Sequence, residues 1–294
     1  MIEPWKVSLH GGHSGEFCKH GTDNLRGMLE SAVRYGFKTY GISAHSPRLE
    51  PRFLYHDEID AGYEPENLEQ DFDRYDRACS RFIEEYEGRL EVLKGAEIEI
   101  VPEESFVQFH AELRNRYKLD YVVGSVHWVD ELPIDTNRKT FDLAVAGRGG
   151  LEPFLIRYYQ LVESMAGDLK PEVIGHIDLP RIFAEGAAEL DCSEVRKAAR
   201  TALETIKNSG CILDLNVSAL SRGLPTPYPA PWIVQLASDI GVEFCFGDDS
   251  HSADQVGTHI EAGRAYLIEH GVKTITNLTR SERGLTKEII PLGK

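Results

Sequence analysis

An α/β fold built on parallel strands is predicted, on three observations. Short β-rich runs alternate with amphipathic helical patterns along nearly the whole chain, the signature of β–α–β crossovers. Glycines repeatedly stop the helical patterns ahead of the next run. No linker or low-complexity stretch divides the 294 residues, so a single domain over residues 1–294 is expected. Right-handed crossovers then leave an open doubly wound sheet or a closed barrel.

Residues 5–9 read as the first strand. A helix over 24–35 follows, because Leu25, Met28, Leu29, Ala32 and Val33 form one apolar stripe, with Asp23 as the expected N-cap and Gly36 as the stop. Residues 38–43 are the next strand. The stretch 66–86 is a long charged helix whose apolar side carries Leu68, Phe72, Tyr75, Cys79, Phe82 and Ile83. Strand 90–96, helix 103–117 and strand 121–126 come next. Residues 130–150 read as an irregular insertion. Helix 153–165 and a short strand 172–175 follow. Val195, Ala198, Ala199, Ala202, Leu203 and Ile206 place a helix over 194–207, which ends before Gly210. Strands 211–217 and 242–247 are separated by a Pro-rich loop and a helix over 231–240.

Composition narrows the function. The 32 Lys and Arg against 48 Asp and Glu give a formal charge of −16, which disfavours nucleic acid and anionic lipid as partners. No signal-peptide pattern opens the chain and no apolar run is long enough to span a membrane. Five scattered cysteines, at 18, 79, 192, 211 and 245, suit free thiols in a reducing compartment. A cytoplasmic location is expected.

The chemistry sits where the strands end. His10 and His13 follow the first strand, His45 the second, Glu97 the third, and His127 the fourth. His176 follows the strand at 172–175, and Asp249 and His251 follow the strand at 242–247. The carboxyl ends of parallel strands share one face, so residues remote in sequence would meet there. With His20, seven of the 11 histidines fall at or just past strand ends. His56, His110, His259 and His270 are read as surface or structural. Neutral imidazole is the commonest metal ligand and a carboxylate bridges ions readily. Seven imidazoles and two carboxylates suffice for two or three divalent ions. Competing signatures are absent: no phosphate-cradling GxxxxGK[ST] loop, no GxGxxG around Gly147–Gly150, no Cys followed six residues later by Arg, and no DxDxT.

In this order, His10…His13, His20, Ser43-Ala-His45, Gly95-Ala-Glu97, Gly124-Ser-Val-His127, Gly175-His-Ile-Asp178 and Gly247-Asp-Asp-Ser-His251 resemble the polymerase-and-histidinol-phosphatase (PHP) superfamily. The resemblance spans roughly residues 8–260. Residues 175–181 and 214–222, with Tyr228-Pro-Ala-Pro231, are most similar to its histidinol-phosphatase branch. The resemblance implies a distorted (β/α)7 barrel of the TIM type with a trinuclear metal site at the carboxyl ends of its strands. It implies that His10, His13, Glu97 and Asp249 hold one ion, that Glu97, His127 and His176 hold a second, and that His20, His45 and His251 hold the third. Zinc, manganese and iron are all compatible. The implied activity is metal-dependent hydrolysis of L-histidinol phosphate, a small phosphorylated substrate of histidine biosynthesis, by a hydroxide bridging two ions. Asp249 or His251 would protonate the leaving alkoxide, and Arg181 and Arg222 are candidates to clamp the phosphate.

Two departures stand out. The family's usual His-x-His is here His10-Gly-Gly-His13. One extra residue reverses the facing of a strand side chain, so either His10 reaches the site through a bulge or Gly11 takes its place. Ala44 replaces the acidic residue usual before the third-motif His. Cys18 is read as a small residue that either supports the ligands from behind or packs beside the site, and Trp128 as either pocket wall or core. Two other functions stay open: a PHP phosphoesterase for another small phosphate ester or a phosphodiester, and a metal-binding PHP protein without catalysis. A polymerase-associated proofreading module is disfavoured by the net charge.

Overall fold

The computed structural model describes residues 3–282 and 284–293. In chain order the elements that position the site begin with β1 (Val7–Ser8), α1 (Leu25–Tyr35), β2 (Thr39–Ile42), α2 (His56–Asp60) and α3 (Pro65–Glu85). They continue through β3 (Glu91–Lys94), β4 (Glu97–Ile98), α4 (Phe106–Tyr117) and β5 (Val123–Gly124). Next come β6 (Trp128–Val129), β7 (Leu132–Pro133), α5 (Arg138–Gly147), α6 (Leu151–Ser164) and β8 (Val173–Ile174). Then follow α7 (Arg181–Ala184), α8 (Ser193–Ser209), β9 (Ile212–Asn216), α9 (Ser218–Ser221), α10 (Pro231–Ile240) and β10 (Glu243–Gly247). The chain closes with α11 (Ile260–Glu269), β11 (Thr274–Ser281) and β12 (Gly284–Pro291).

The strands form two parallel sheets, one in the order β1-β2-β3 and one in the order β10-β9-β8-β5-β4. The α/β expectation is met, but one continuous closed ladder is not seen. The sheets touch at both seams through single parallel bridges, His10 with Gly247 and His45 with Glu97. The seams are that short because the chain bends between β3 and β4 and because β1 is two residues long. Leu9, Leu93, Tyr121, Val123, Val173, Ile212, Cys245 and Leu278 form a small buried cluster of their own, apart from the larger core shared by strands and helices.

Local sequence explains the helices. In α1, Leu25, Met28, Leu29 and Ala32 are buried, and each large apolar side chain removed from water contributes about 2 kcal/mol. Asn24, not Asp23, caps it: its backbone is extended (φ −83°, ψ 156°) and its side chain accepts the Gly27 N–H. Asp23 lies one residue too early and instead accepts the Ala253 N–H at 2.8 Å. Gly36 ends the helix at φ 90°, a conformation that costs glycine little.

The stretch expected to be an irregular insertion is ordered. β6 pairs antiparallel with β7, and α5 starts at an Asn137 cap that accepts the Thr140 N–H. The apolar signal there is weak because only Phe141 and Ala144 of α5 are buried. The hairpin β11–β12 was likewise not anticipated. Thr279 donates to Glu91 and Asn277 to Thr39, the first residues of β3 and β2. The hairpin thus covers the amino ends of those strands, opposite the site.

Candidate active site

Parallel register puts the carboxyl ends of β1, β2, β5, β8 and β10 on one side, and the predicted side chains converge there. Glu97 is at the centre. Its Oε1 lies 3.3 Å from His10 Nε2, 3.5 Å from His127 Nε2 and 3.2 Å from His176 Nε2. Its Oε2 lies 3.3 Å from His13 Nε2 and 3.3 Å from His45 Nδ1. Asp249 Oδ1 is 3.4 Å from His13 Nε2 and 4.0 Å from His10 Nε2. His251 stacks on His13 with ring centroids 4.7 Å apart, and His20 lies 5.4 Å from His251 and 5.0 Å from His45. The nine expected ligands are therefore gathered in one place.

The double glycine resolves the first motif in favour of His10. His10 makes the bridge to Gly247 and is fully buried beside Glu97. A Cβ on Gly11 would lie 2.2 Å from the Gly41 carbonyl oxygen, and one on Gly12 would lie 1.9 Å from Met28 Cε. At position 11 the backbone of β2 leaves room only for glycine, whereas at position 12 the near atom is the movable end of Met28, so Gly11 is the residue that lets the extra position be taken up while both histidines turn inward.

A second layer holds the first. His10 Nδ1 donates to Asp214 at 2.8 Å, and His127 Nδ1 donates to Glu99 at 2.8 Å. Ser125 donates to Glu97 at 2.6 Å, and Asn216 and Ser218 donate to Asp249. Sequence reasoning missed Glu99 and Asp214. Glu99 follows Glu97 by two residues, the strand period, so its facing was available in the sequence. Asp214 sits mid-strand, where only the register shows which side it faces. Asp214→Asn keeps the shape but removes the carboxylate that orients His10. It is expected to weaken metal affinity about 10- to 100-fold in a chelator competition, as loss of an outer partner commonly does.

The electrostatics suit cations. Burial opposes ionisation of Glu97, but His10, His127 and His45 outweigh it and hold the carboxyl well below the usual range. Burial likewise opposes charge on His13 and His127, yet carboxylates outweigh it and raise them to about 9 and about 10. Burial and neighbouring His13 push His45 well down and His251 to about 3. His10 Nε2, both nitrogens of His13 and His45 Nδ1 are buried with no hydrogen-bond partner. Buried polar atoms are seldom left so, and imidazole nitrogens facing carboxylates fit a divalent transition metal. Ligand atoms also cluster within 4.8 Å in the sets His10–His13–Asp249, His10–Glu97–His176, His13–His45–His251, His45–Glu99–His127 and Cys18–His20–His45. The Cys18 thiol thus lies beside His20 and His45 at the edge of the cluster.

The cluster opens into a cavity of about 510 Å³ whose lining includes Tyr55, His56, Asp57, Asp135, Asn137 and Arg222. His56 is exposed and also lines the cavity. His110 is structural, buried and donating from Nε2 to the Glu99 carbonyl at 2.7 Å. Trp128 packs in the core, stacked on Tyr55 with centroids 5.7 Å apart. Arg222 lines the cavity, and among the described residues its guanidinium has no hydrogen-bond or ion-pair partner. Arg181 is not brought there. Its donors go to Glu185, Asp178, the carbonyls of Pro227 and Thr226, and Thr226 Oγ1. All five N–H groups are thereby used, so the expected phosphate clamp at Arg181 does not fit its surroundings.

Residues 10–218 match the PHP domain family. The chain belongs to that family. The match starts at His10 and takes in every expected PHP ligand through His176, leaving Asp249 and His251 beyond it. Among PHP relatives, the Schizosaccharomyces pombe "probable histidinol-phosphatase" is 33% identical over 286 residues, 95% of this chain and 90% of the relative. The Saccharomyces cerevisiae histidinol-phosphatase is 29% identical over 294 residues, covering 88% of each chain. A crystal structure assigned as the histidinol phosphatase HisK of Listeria monocytogenes superposes with a TM-score of 0.76 at 26% identity, over 87% of this chain and 99% of that one. The Lactococcus lactis histidinol phosphate phosphatase, in complex with zinc, L-histidinol and phosphate, shares the fold at a TM-score of 0.70 and 14% identity, over 93% of this chain and 96% of that one. No helix among the described residues is long and apolar enough to cross a membrane.

Proposed function

We propose that this PHP protein is a metal-dependent phosphomonoesterase that hydrolyses L-histidinol phosphate to L-histidinol and phosphate. One observation carries the chemistry: both oxygens of the buried Glu97 carboxylate are faced by imidazole nitrogens, His10, His127 and His176 on one and His13 and His45 on the other. The histidinol-phosphatase relatives, which match along nearly their whole length, support the substrate.

His10, His13, Glu97 and Asp249 would hold one ion. Glu97, His127 and His176 would hold a second, and His20, His45 and His251 a third. Glu99 faces His45 and His127, and Cys18 lies beside His20 and His45, so both are further donors at these positions. When bound, divalent cations supply charge that neutralises phosphate oxygens and makes water more acidic. Arg222 orients the phosphate through its planar fork of donors. Asp249 or His251, both lining the cavity, would take a proton from the attacking water and pass it to the departing alkoxide. We further read the two sheets as one distorted seven-stranded barrel over a single domain, with β3 and β4, only two residues apart, counted as one interrupted strand; the bridges at both seams and the separate buried cluster on the strands support this.

Turnover of a panel of phosphomonoesters that includes histidinol phosphate tests the function. Activity is expected on histidinol phosphate, to vanish with a chelator and to return with zinc, manganese or iron. Preference for another ester or for a phosphodiester would overturn the assignment. Elemental analysis of gently purified protein is expected to find two to three ions per chain. Fewer than one would overturn the trinuclear site.

A further inference from the structure

One carboxylate in the cavity has no partner. Of the acidic residues lining it, Asp57 accepts from His20 at 3.1 Å, and Asp248 accepts from Ser8 at 2.7 Å and Ser250 at 2.6 Å. Glu97 and Asp249 belong to the histidine cluster. Asp135 alone stands apart: among the described residues it has no hydrogen bond or ion pair, and its Oδ1 is closed off from solvent. The residue as a whole is half-buried on the cavity wall, and a carboxylate left there without a donor is costly unless a ligand brings one to the oxygen that faces the cavity.

Its position is built, not incidental. The hairpin β6–β7 turns the chain back after His127, and the Ile134 N–H donates to the His127 carbonyl at 2.9 Å. The next residue, Asp135, is thereby held at the cavity next to the end of β5. Arg222 lines the same cavity with the opposite charge; Asp135 acts on it electrostatically, but among the described residues the two make no contact ion pair. A ligand carrying an anion and a cation a few bonds apart would engage both at once. In histidinol phosphate the amine is on the carbon next to the phosphorylated CH2, which provides that spacing.

We infer that Asp135 receives the ammonium group of an amino-alcohol phosphate, so that the site selects such esters over phosphomonoesters that lack the amine. This rests on the proposed phosphatase function and names what its cavity recognises. The residue positions substrate and takes no part in the phosphoryl transfer.

The test compares histidinol phosphate with its des-amino analogue, 3-(imidazol-4-yl)propyl phosphate, on wild type and on Asp135→Asn, with folding checked by thermal melting. Wild type is expected to prefer the amine by about 30-fold in kcat/KM, the effect of one charge-assisted contact. Asp135→Asn should reduce that preference to about threefold or less, mainly through KM. Equal losses on both esters, or a preference that survives the substitution, would overturn the amine site. The same comparison is available without turnover, by calorimetric binding of L-histidinol and its des-amino alcohol to the metal-loaded wild type, where equal affinities would also overturn it. If histidinol phosphate is not hydrolysed but aminoethyl phosphate is preferred over ethyl phosphate through Asp135, the substrate assignment falls and the amine site stands.

Discussion

Glu97→Gln is expected to lower kcat/KM on histidinol phosphate by at least about three orders of magnitude, because bound cations supply several kcal/mol of charge stabilisation. It should also cost at least one ion per chain. An amide has one acceptor oxygen and a donor NH2, so it cannot present an anionic oxygen to imidazoles and cations on both sides. In the structure each carboxylate oxygen of Glu97 is already shared among imidazoles, which leaves no position where an NH2 is tolerated. His259→Ala is the control. His259 is exposed and sits at the start of α11, outside the cluster, and its loss should leave activity and metal content near wild type. Kinetics with elemental analysis on both variants decides the matter. Equal metal loss in the two would show that the histidines are wrongly sorted.

Arg222→Ala is expected to leave the metals bound and reduce kcat/KM about 30- to 150-fold, the equivalent of about 2–3 kcal/mol for a charge-assisted contact to phosphate. Arg222→Lys should recover only part of this, since an ammonium is a point charge without the planar fork. The structure sharpens the expectation by separating the two arginines. Arg181 is saturated by protein acceptors, including a buried pair with Asp178 at 3.2 Å, so its replacement should act through stability. Arg222 has no such partner to lose. An alanine variant at 222 with unchanged kcat/KM would remove that side chain from the site.

The histidines were legible because imidazole is scarce and its position after each β-rich run needs only local pattern to detect. The helices were legible for a similar reason. The apolar stripes of α1 and α8 and the glycines that end them are local signals, and α10 was delimited by Pro231 and Gly241. Less legible were elements with little apolar face or few turn signals, such as α5 and the short hairpin β6–β7. The supporting acids were missed for a different reason. Asp214 lies inside a strand whose five residues are all buried, so no alternation marks its facing.

The sequence by itself determined the parallel α/β plan, the convergence of seven histidines and two carboxylates at strand ends, and the PHP resemblance. Each follows from residue type and spacing along the chain. Only the tertiary structure decided that His10 and not Gly11 faces Glu97, that Asp214 and Glu99 orient the imidazoles, that Arg222 and not Arg181 lines the cavity, and that Asp135 is left without a hydrogen bond there. These depend on which nitrogen meets which oxygen across strands and loops far apart in sequence. Such contacts are set by sheet register and by the close approach of the Gly41 carbonyl that glycine permits at position 11, neither of which is written in local periodicity.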